Sequence, residues 1–529
     1  MSHFLFADSI HLHSKNFGSL FSYIESKRIS VTFHQAHEGM KSRLGDYVGA
    51  PGLLPYRMGL KELDRQQLFD LTHNYKNKPI RLFPLCKAEC LAYSLAKSTH
   101  WVEEPMGYLS AEIRERALFD RLYDEERDLL LGNMAAARFW INAWQHYFEE
   151  HPSGFSHAFG FSGSFIYTRV LMEICSWSRT RMLVLESTFT GRDYYLEERY
   201  SPIANRSDIR LQTVRNAKAL PTDSLLCARE SAKALNKVFS SKNKNVKQPS
   251  TADLLAFEEP SRPTLLVIGQ VVNDFSVIEQ RAGWISSINF YKSLIERALR
   301  ETDYNIVFKG HPWEHKKTHV QSPLTKGCLE SFRESLPSEY RARFVLREND
   351  NLVMLGDFAD RVVLLNSQSG IEVALHCGLR PSTFGSPYYG NAGFSDDYRD
   401  LDTFFADVKS GRTQALLDLD SFEALKGFLT RFLQYHTVSE FPSGLRRIKE
   451  VLEVRAPIMA SDNQQEEDET VLDPNVIIIP KYQPQWQKLI RPIVGDKRAN
   501  QLGTLSRDPV GVIERQVLDR LRRAKLSGN

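Results

Sequence analysis

From residue 264 onward, short apolar runs alternate with stretches of helical period. The runs are 264–269, Asn305 to Phe308, Arg343 to Leu346, Arg361 to Leu365 and 380–384. Helical period falls near 286–300, 325–335 and from Gly370 to His376. Runs such as Leu265-Leu266-Val267-Ile268, closed by a glycine, suit strands buried on both faces of a parallel sheet. Their alternation with helices predicts a doubly wound α/β domain. The first half repeats the pattern less cleanly. Strands are expected at His3 to Ala7, Ile29 to Phe33, Ile80 to Pro84, Phe155 to Phe161 and Met182 to Leu185. Helices are expected at Lys15 to Ser26 and Ile166 to Ser178. Another is expected from Ser110 to Glu149, where Leu118, Leu122, Leu129, Ala136 and Phe139 recur at helical spacing. The fold expected is therefore α/β, two Rossmann-like doubly wound domains facing a cleft.

Breaks in the pattern set the boundaries. Ser240 to Glu259 opens polar and lysine-rich, and reads as a linker between domains at 1–240 and 241–458. Residues 459–474 form an acidic linker (Glu466, Glu467, Asp468, Glu469), and 475–529 a basic tail with 11 Lys/Arg against 4 Asp/Glu. Asp508-Pro509 reads as the start of a helix with Val510, Ile513, Val517, Leu518 and Leu521 on one face. Arg515, Arg520, Arg522 and Arg523 surround that face. Such a helix suits an anionic membrane surface, a partner protein, or packing back on the chain.

Composition narrows the class without changing the fold. A net charge of +3 from 68 basic and 65 acidic residues gives no global polyanion signal, so nucleic acid is not an expected partner. The six cysteines have no zinc spacing and read as free thiols of a reducing cytoplasm. No run of about 18 apolar residues occurs, so the expectation is a cytoplasmic protein, at most peripheral at the inner face of the inner membrane.

The candidate chemistry sits where strands should end, because ligands of open α/β sheets bind at carboxyl edges. Asp274 follows the strand at 264–269, and Glu186 follows Met182 to Leu185. A carboxyl among apolar residues has its pKa raised, as a general acid requires. Lys309-Gly310-His311 follows the next strand and offers cations. Ser367-Gln368-Ser369-Gly370 turns a strand directly into a helix, offering hydroxyls and amides to a phosphate. Ser162-Gly163-Ser164 is a small-residue turn open to ligand approach or tight packing. His34 to Glu38 reads as metal ligands, substrate contacts or a solvated loop. Asp396-Asp397 reads as a helix start or a solvated pair, and no Asp-x-Asp metal motif lies near a strand end. Neither a Walker loop nor a nucleophile elbow is present.

Taken in order, ESTFTGRD from Glu186, GQVVNDFS around Asp274, KGHPWE around His311, NSQSGIEVALHCG (366–378) and Gly385-Ser386-Pro387-Tyr388-Tyr389 carry a resemblance. Over roughly residues 1–455 the chain resembles the retaining β-Kdo glycosyltransferases of bacterial capsule and O-antigen synthesis, within a capsule-polysaccharide-synthesis superfamily. The resemblance implies a GT-B-like fold, a CMP-β-Kdo donor and transfer to a glycan hydroxyl with retention. The acceptor would be a growing surface glycan, lipid-linked in some members. By position, Asp274 matches the attacking carboxylate and Glu186 the acid/base toward the acceptor. His311 and Ser367–Gly370 match the part that holds the cytidine phosphate. Lys309, Gln270 and Asn273 would meet the carboxylate of the sugar. No metal or other cofactor is expected, because a phosphate held by amides and a cation leaves without one.

Overall fold

The computed structural model describes residues 2–97, 101, 107–240, 257–314, 320–321 and 323–453. The acidic linker, the basic tail and most of the 240–259 linker lie outside the described residues. Two six-stranded sheets form the frame, both inside one compact unit, Met1–Met459.

The strands, in chain order, are β1 (His3–Phe6), β2 (Ser30–Phe33), β3 (Thr72–Tyr75), β4 (Lys78–Arg81), β5 (His157–Phe161), β6 (Arg181–Ser187) and β7 (Asp193–Glu198). There follow β8 (Thr264–Ile268), β9 (Asn305–Lys309), β10 (Phe344–Arg347), β11 (Arg361–Leu364), β12 (Pro381–Thr383), β13 (Asp396–Asp397) and β14 (Val438–Ser439). The second sheet runs β10-β9-β8-β11-β12-β13 and is parallel throughout. Counted within the sheet this is the order 3-2-1-4-5-6, whose direction reverses between β8 and β11. Strands β8, β9 and β11 are buried at every residue, as their continuous apolar runs require.

The first sheet runs β14-β7-β6-β5-β1-β2. Its four strands β2, β1, β5 and β6 are parallel, and β7 and β14 are added antiparallel. The last strand, β14, comes from far along the chain, so residues 438–453 complete the first sheet after the second has been built. The helix Leu445–Glu453 then packs on the first sheet, and Arg181 donates to the Val451 and Leu452 carbonyls at its end, at 2.8 and 2.6 Å.

Three expectations need correction. Ile80 to Pro84 is not a strand of the sheet. Residues 78–81 form a hairpin with 72–75 through Lys76-Asn77, both at positive φ, as a tight two-residue turn requires. A helix, Leu82–Lys97, begins at once, and twelve of its sixteen residues are buried. Being apolar on nearly all sides, it shows no single stripe to betray its period. Ser110 to Glu149 is two helices, Ala111–Glu125 and Arg127–Glu150, broken at Glu126 (φ −138°, ψ 45°). Asp396-Asp397 is not a helix start but the edge strand β13, in which Asp396 is half-buried and Asp397 stays exposed. Arg380 holds Asp396 at 2.8 Å, and Thr383 donates to Asp397 at 2.6 Å.

The sheets share an apolar core. One cluster runs from Trp140, Trp144 and Tyr167 of the first half to Ile278, Ile371, Tyr388 and Tyr389 of the second. Arg114, 2% exposed, donates to the carbonyls of Val277, Ile278, Gln280 and Gly283. Arg169 reaches both oxygens of Glu279 at 2.6 Å.

Candidate active site

The reversal point of the second sheet is filled by side chains. Gly269 ends β8 where a Cβ would meet the Phe308 ring at 2.7 Å. Gln270 follows, and its amide is fully engaged. Its Oε1 accepts from Asn366 N at 3.0 Å, and its Nε2 donates to Asn366 Oδ1 at 2.8 Å. Asn366, 1% exposed, also donates to the Ser276 carbonyl at 2.7 Å and accepts from Ser276 Oγ at 3.0 Å. This network fixes the loop that presents Asp274. The half-buried Asp274 accepts from Ser276 N at 2.8 Å through Oδ1, and from Gln270 Nε2 at 3.3 Å through Oδ2. It caps the short helix Phe275–Ile278 while aiming its carboxylate at the edge of the sheet.

Glu186 arrives from the first sheet, near the end of β6, opposite Tyr195 of β7. Burial pushes its carboxyl up to about 7, and the negative charge of Asp274 adds to that rise. A hydrogen bond from Ser162 and the charge of Arg199 oppose it. Asp274 is thus felt at Glu186 although the two belong to different sheets. Arg199 donates through one Nη to Glu197 at 2.7 Å and through its other nitrogens to Ser201, and Arg192 lies over the Phe441 ring. Among the described residues, Glu186 Oε2, Tyr195 Oη and Tyr388 Oη are buried and have no hydrogen-bond partner. Three unsatisfied polar atoms on two strands and a loop mark a place built to receive a polar group.

The turn Ser367–Gly370 opens the helix Ser369–Cys377 beside Asn366. Ser369 N donates to Ser367 Oγ at 3.2 Å, and Gly370 N to the Ser367 carbonyl at 3.2 Å. The amides of Ser367 and Gln368 and the Ser369 hydroxyl have no partner among the described residues, and together they suit an anion. Tyr389 Oη donates to the Ser367 carbonyl at 2.7 Å. A Cβ on Gly370 would stand 2.2 Å from that same Oη, so glycine is required for the approach. Gln368 Oε1 accepts from Phe189 N at 3.2 Å, tying the turn to the loop after Glu186.

The structure brings Glu186, Asp274 and Ser367–Gly370 together but turns Lys309 elsewhere. Lys309, 3% exposed, donates to the carbonyls of Gly310 at 2.7 Å and Glu348 at 2.8 Å, bracing the loops after β9 and β10. Burial lowers its ammonium to about 8. His311 is half-buried, and its Nδ1 accepts from Trp313 N at 3.2 Å, so a neutral ring carries its proton on Nε2. Asn273 is buried at 3%. Ser162-Gly163 packs tightly, a Cβ on Gly163 meeting Met172 Sδ at 2.9 Å, while Ser162 also serves Glu186. His34 is buried against Trp140, Trp144 and Tyr147, whereas Glu38 is exposed. Among the described residues no group of three or more His, Cys, Asp or Glu is arranged to hold a metal ion.

Residues 215–425 match the family model described as capsule polysaccharide biosynthesis protein. The matched segment carries Asp274, Lys309, His311 and Ser367–Gly370, while Glu186 lies outside it. Two curated relatives are capsule polysaccharide modification proteins LipA of Neisseria meningitidis. The serogroup B protein is 26% identical over 226 residues, 42% of this chain and 28% of its own length. The serogroup A protein is 28% identical over 188 residues, 35% of this chain and 24% of its own. The matched stretches thus span about a quarter of those relatives. Among solved structures, the β-Kdo 2,4 transferase of Thermosulfurimonas dismutans KpsC superposes with a TM-score of 0.38 at 19% identity, over 54% of this chain and 82% of its own. The KpsC β-Kdo 2,7 transferase gives 0.34 at 15%, over 56% and 81%. At this looseness no residue role follows from either superposition.

Sequence reasoning missed Asn366 as the brace of the site and Tyr195 beside Glu186, and it singled out Ser162 and Tyr388 without placing them around Glu186. Asn366 was visible as the polar residue that ends β11. Tyr195 follows from pairing β6 with β7, which only the antiparallel register reveals.

Proposed function

We propose that this chain is a retaining glycosyltransferase that moves Kdo from CMP-β-Kdo to a hydroxyl of a bacterial surface glycan. One observation carries the reading: two carboxylates from different sheets meet beside an amide-rich turn, and burial keeps one of them protonatable near neutrality. In the first step an oxygen of Asp274 bonds to the anomeric carbon as the bond to the CMP phosphate oxygen breaks. The amides of Ser367 and Gln368, the Ser369 hydroxyl and His311 hold the departing phosphate. In the second step the acceptor oxygen displaces Asp274 while Glu186 takes the acceptor proton, so two inversions give retention. Asn273 contributes to the sugar side of the site, and no metal ion takes part. The acceptor is a growing glycan, lipid-linked, met at the inner face of the membrane with help from the basic tail.

A transferase for another sugar nucleotide is the second reading. Lys309 favours it, because the cation expected to meet the Kdo carboxylate is engaged with backbone carbonyls. The test is incubation with CMP-Kdo generated in situ, followed by intact mass spectrometry and measurement of free CMP. Wild type is expected to release CMP and carry a Kdo adduct, both absent in Asp274→Asn. No CMP release from wild type would remove the Kdo donor and leave the second reading or a non-catalytic assembly role.

A further inference from the structure

A second set of polar side chains lies at the reversal point of the first sheet, between β1 and β5. Asp8, just past the end of β1, is fully buried and accepts from Tyr167 Oη at 2.8 Å and from His11 N at 2.7 Å. The His11 ring turns back on the same carboxylate, with Nδ1 3.3 Å from Asp8 Oδ1. Lys41, 2% exposed, lies close enough for its charge and that of Asp8 to act on each other. A carboxylate beside Nδ1 favours the tautomer with its proton there and a lone pair on Nε2. The His11 side chain is 30% exposed, and Nε2 has no partner among the described residues.

The ring also rests on an aromatic floor. It stacks on Phe161 with centroids 4.7 Å apart and planes 7° apart, and on Phe165 at 5.6 Å and 18°. Phe165 in turn meets Phe275 edge-on at 5.7 Å, and Phe275 is the neighbour of Asp274. Phe161 precedes Ser162, which hydrogen-bonds Glu186. The strands β1 and β6 flank β5, so their ends stand about 10 Å apart. His11, past the end of β1, and Glu186, near the end of β6, thus sit two strands apart at the same end of the first sheet. With its face held on these rings, the imidazole keeps an exposed edge that can take a hydroxyl, at the same end of the sheet as the Glu186 carboxyl, which is hydrogen-bonding chemistry suited to a sugar.

We propose that His11, set by Asp8 and stacked on Phe161, is the binding residue of a sugar subsite on the first sheet, its Nε2 accepting a hydrogen bond from an acceptor hydroxyl other than the one that meets Glu186. This rests on the reading of Glu186 as the group that takes the acceptor proton. His11 is a specificity residue: it selects and orients the acceptor sugar, and the donor half-reaction proceeds without it.

The experiment separates the two halves in the full-length protein. CMP release from CMP-Kdo is measured in buffer alone, and then with a panel of octyl glycosides ending in galactose, N-acetylglucosamine or Kdo. Wild type is expected to release CMP slowly to water and faster with at least one glycoside. His11→Ala should raise the KM for that glycoside about tenfold or more, the loss of one oriented hydrogen bond, with release to water within about twofold. His11→Gln, which places an amide near the Nε2 position, should recover part of the loss, while His11→Phe keeps the stack and should not. Equal loss of both rates in His11→Ala, or no change in either, overturns the subsite. So does a wild type that hydrolyses CMP-Kdo but responds to no glycoside. A wild type that releases no CMP at all removes the transferase reading, and the subsite falls with it.

Discussion

At the level of single residues, the protonation of Glu186 is the most informative handle. Its carboxyl is raised from 4.5 to about 7, first by burial and then by Asp274. Used as a base, it must be ionised, so acceptor-dependent transfer should rise with pH through about 7. Glu186→Gln should flatten that rise and lower transfer by about 100-fold or more. The sign for stability is opposite. Between about pH 4.5 and pH 7 the folded state holds a proton that the unfolded state has lost, so the wild-type carboxyl loses its advantage as pH rises. Glu186→Gln should therefore gain on the order of 1 kcal/mol over wild type on crossing that window, read by urea denaturation at both ends. Asp274 accepts from Ser276 N as the cap of the helix Phe275–Ile278, and its charge acts on Glu186, a second role that the sequence does not announce.

At the level of elements, the turn from β11 into its helix depends on Gly370 and Tyr389 acting together. Gly370→Ala puts a methyl within 2.2 Å of Tyr389 Oη, so the ring must withdraw and release the Ser367 carbonyl. A loss of about 2–3 kcal/mol is expected, together with weaker CMP binding by calorimetry. Tyr389→Phe alone should cost about 1 kcal/mol. The double variant should cost less than the two losses added, because removing the hydroxyl makes room for the methyl. The helices and parallel strands were readable because buried strands are unbroken apolar runs and amphipathic helices repeat their stripe. The Leu82–Lys97 helix was not, since burial on nearly all sides erases the stripe. Nor was β13, where two aspartates enter a strand only because Arg380 and Thr383 wait for them. The two carboxylates of the site were legible from their place at strand ends. The direction of the Lys309 side chain was not, because nothing in its neighbourhood along the chain foretells the Glu348 carbonyl.

At the level of the whole molecule, the two sheets behave as one body because their junction is both apolar and hydrogen-bonded. Arg114 is the strongest single tie, since its removal strands four carbonyl interactions in a buried place. Arg114→Leu should cost about 3–5 kcal/mol and split a single thermal transition into two in scanning calorimetry. A single unchanged transition would show that the shared apolar cluster alone holds the sheets together.

The return of the chain to β7 also has a consequence during synthesis. Strand β7 ends at residue 198, but its partner β14 is reached at residues 438–439, about 240 residues later. At ~5–20 residues per second, a ribosome leaves that edge open for roughly 12–50 s. For all of that time the nascent chain displays an unpaired strand and the uncovered apolar face on which the final helix will lie. The first sheet begins folding first and finishes last, which makes the growing polypeptide a natural client for chaperones that shield strand edges.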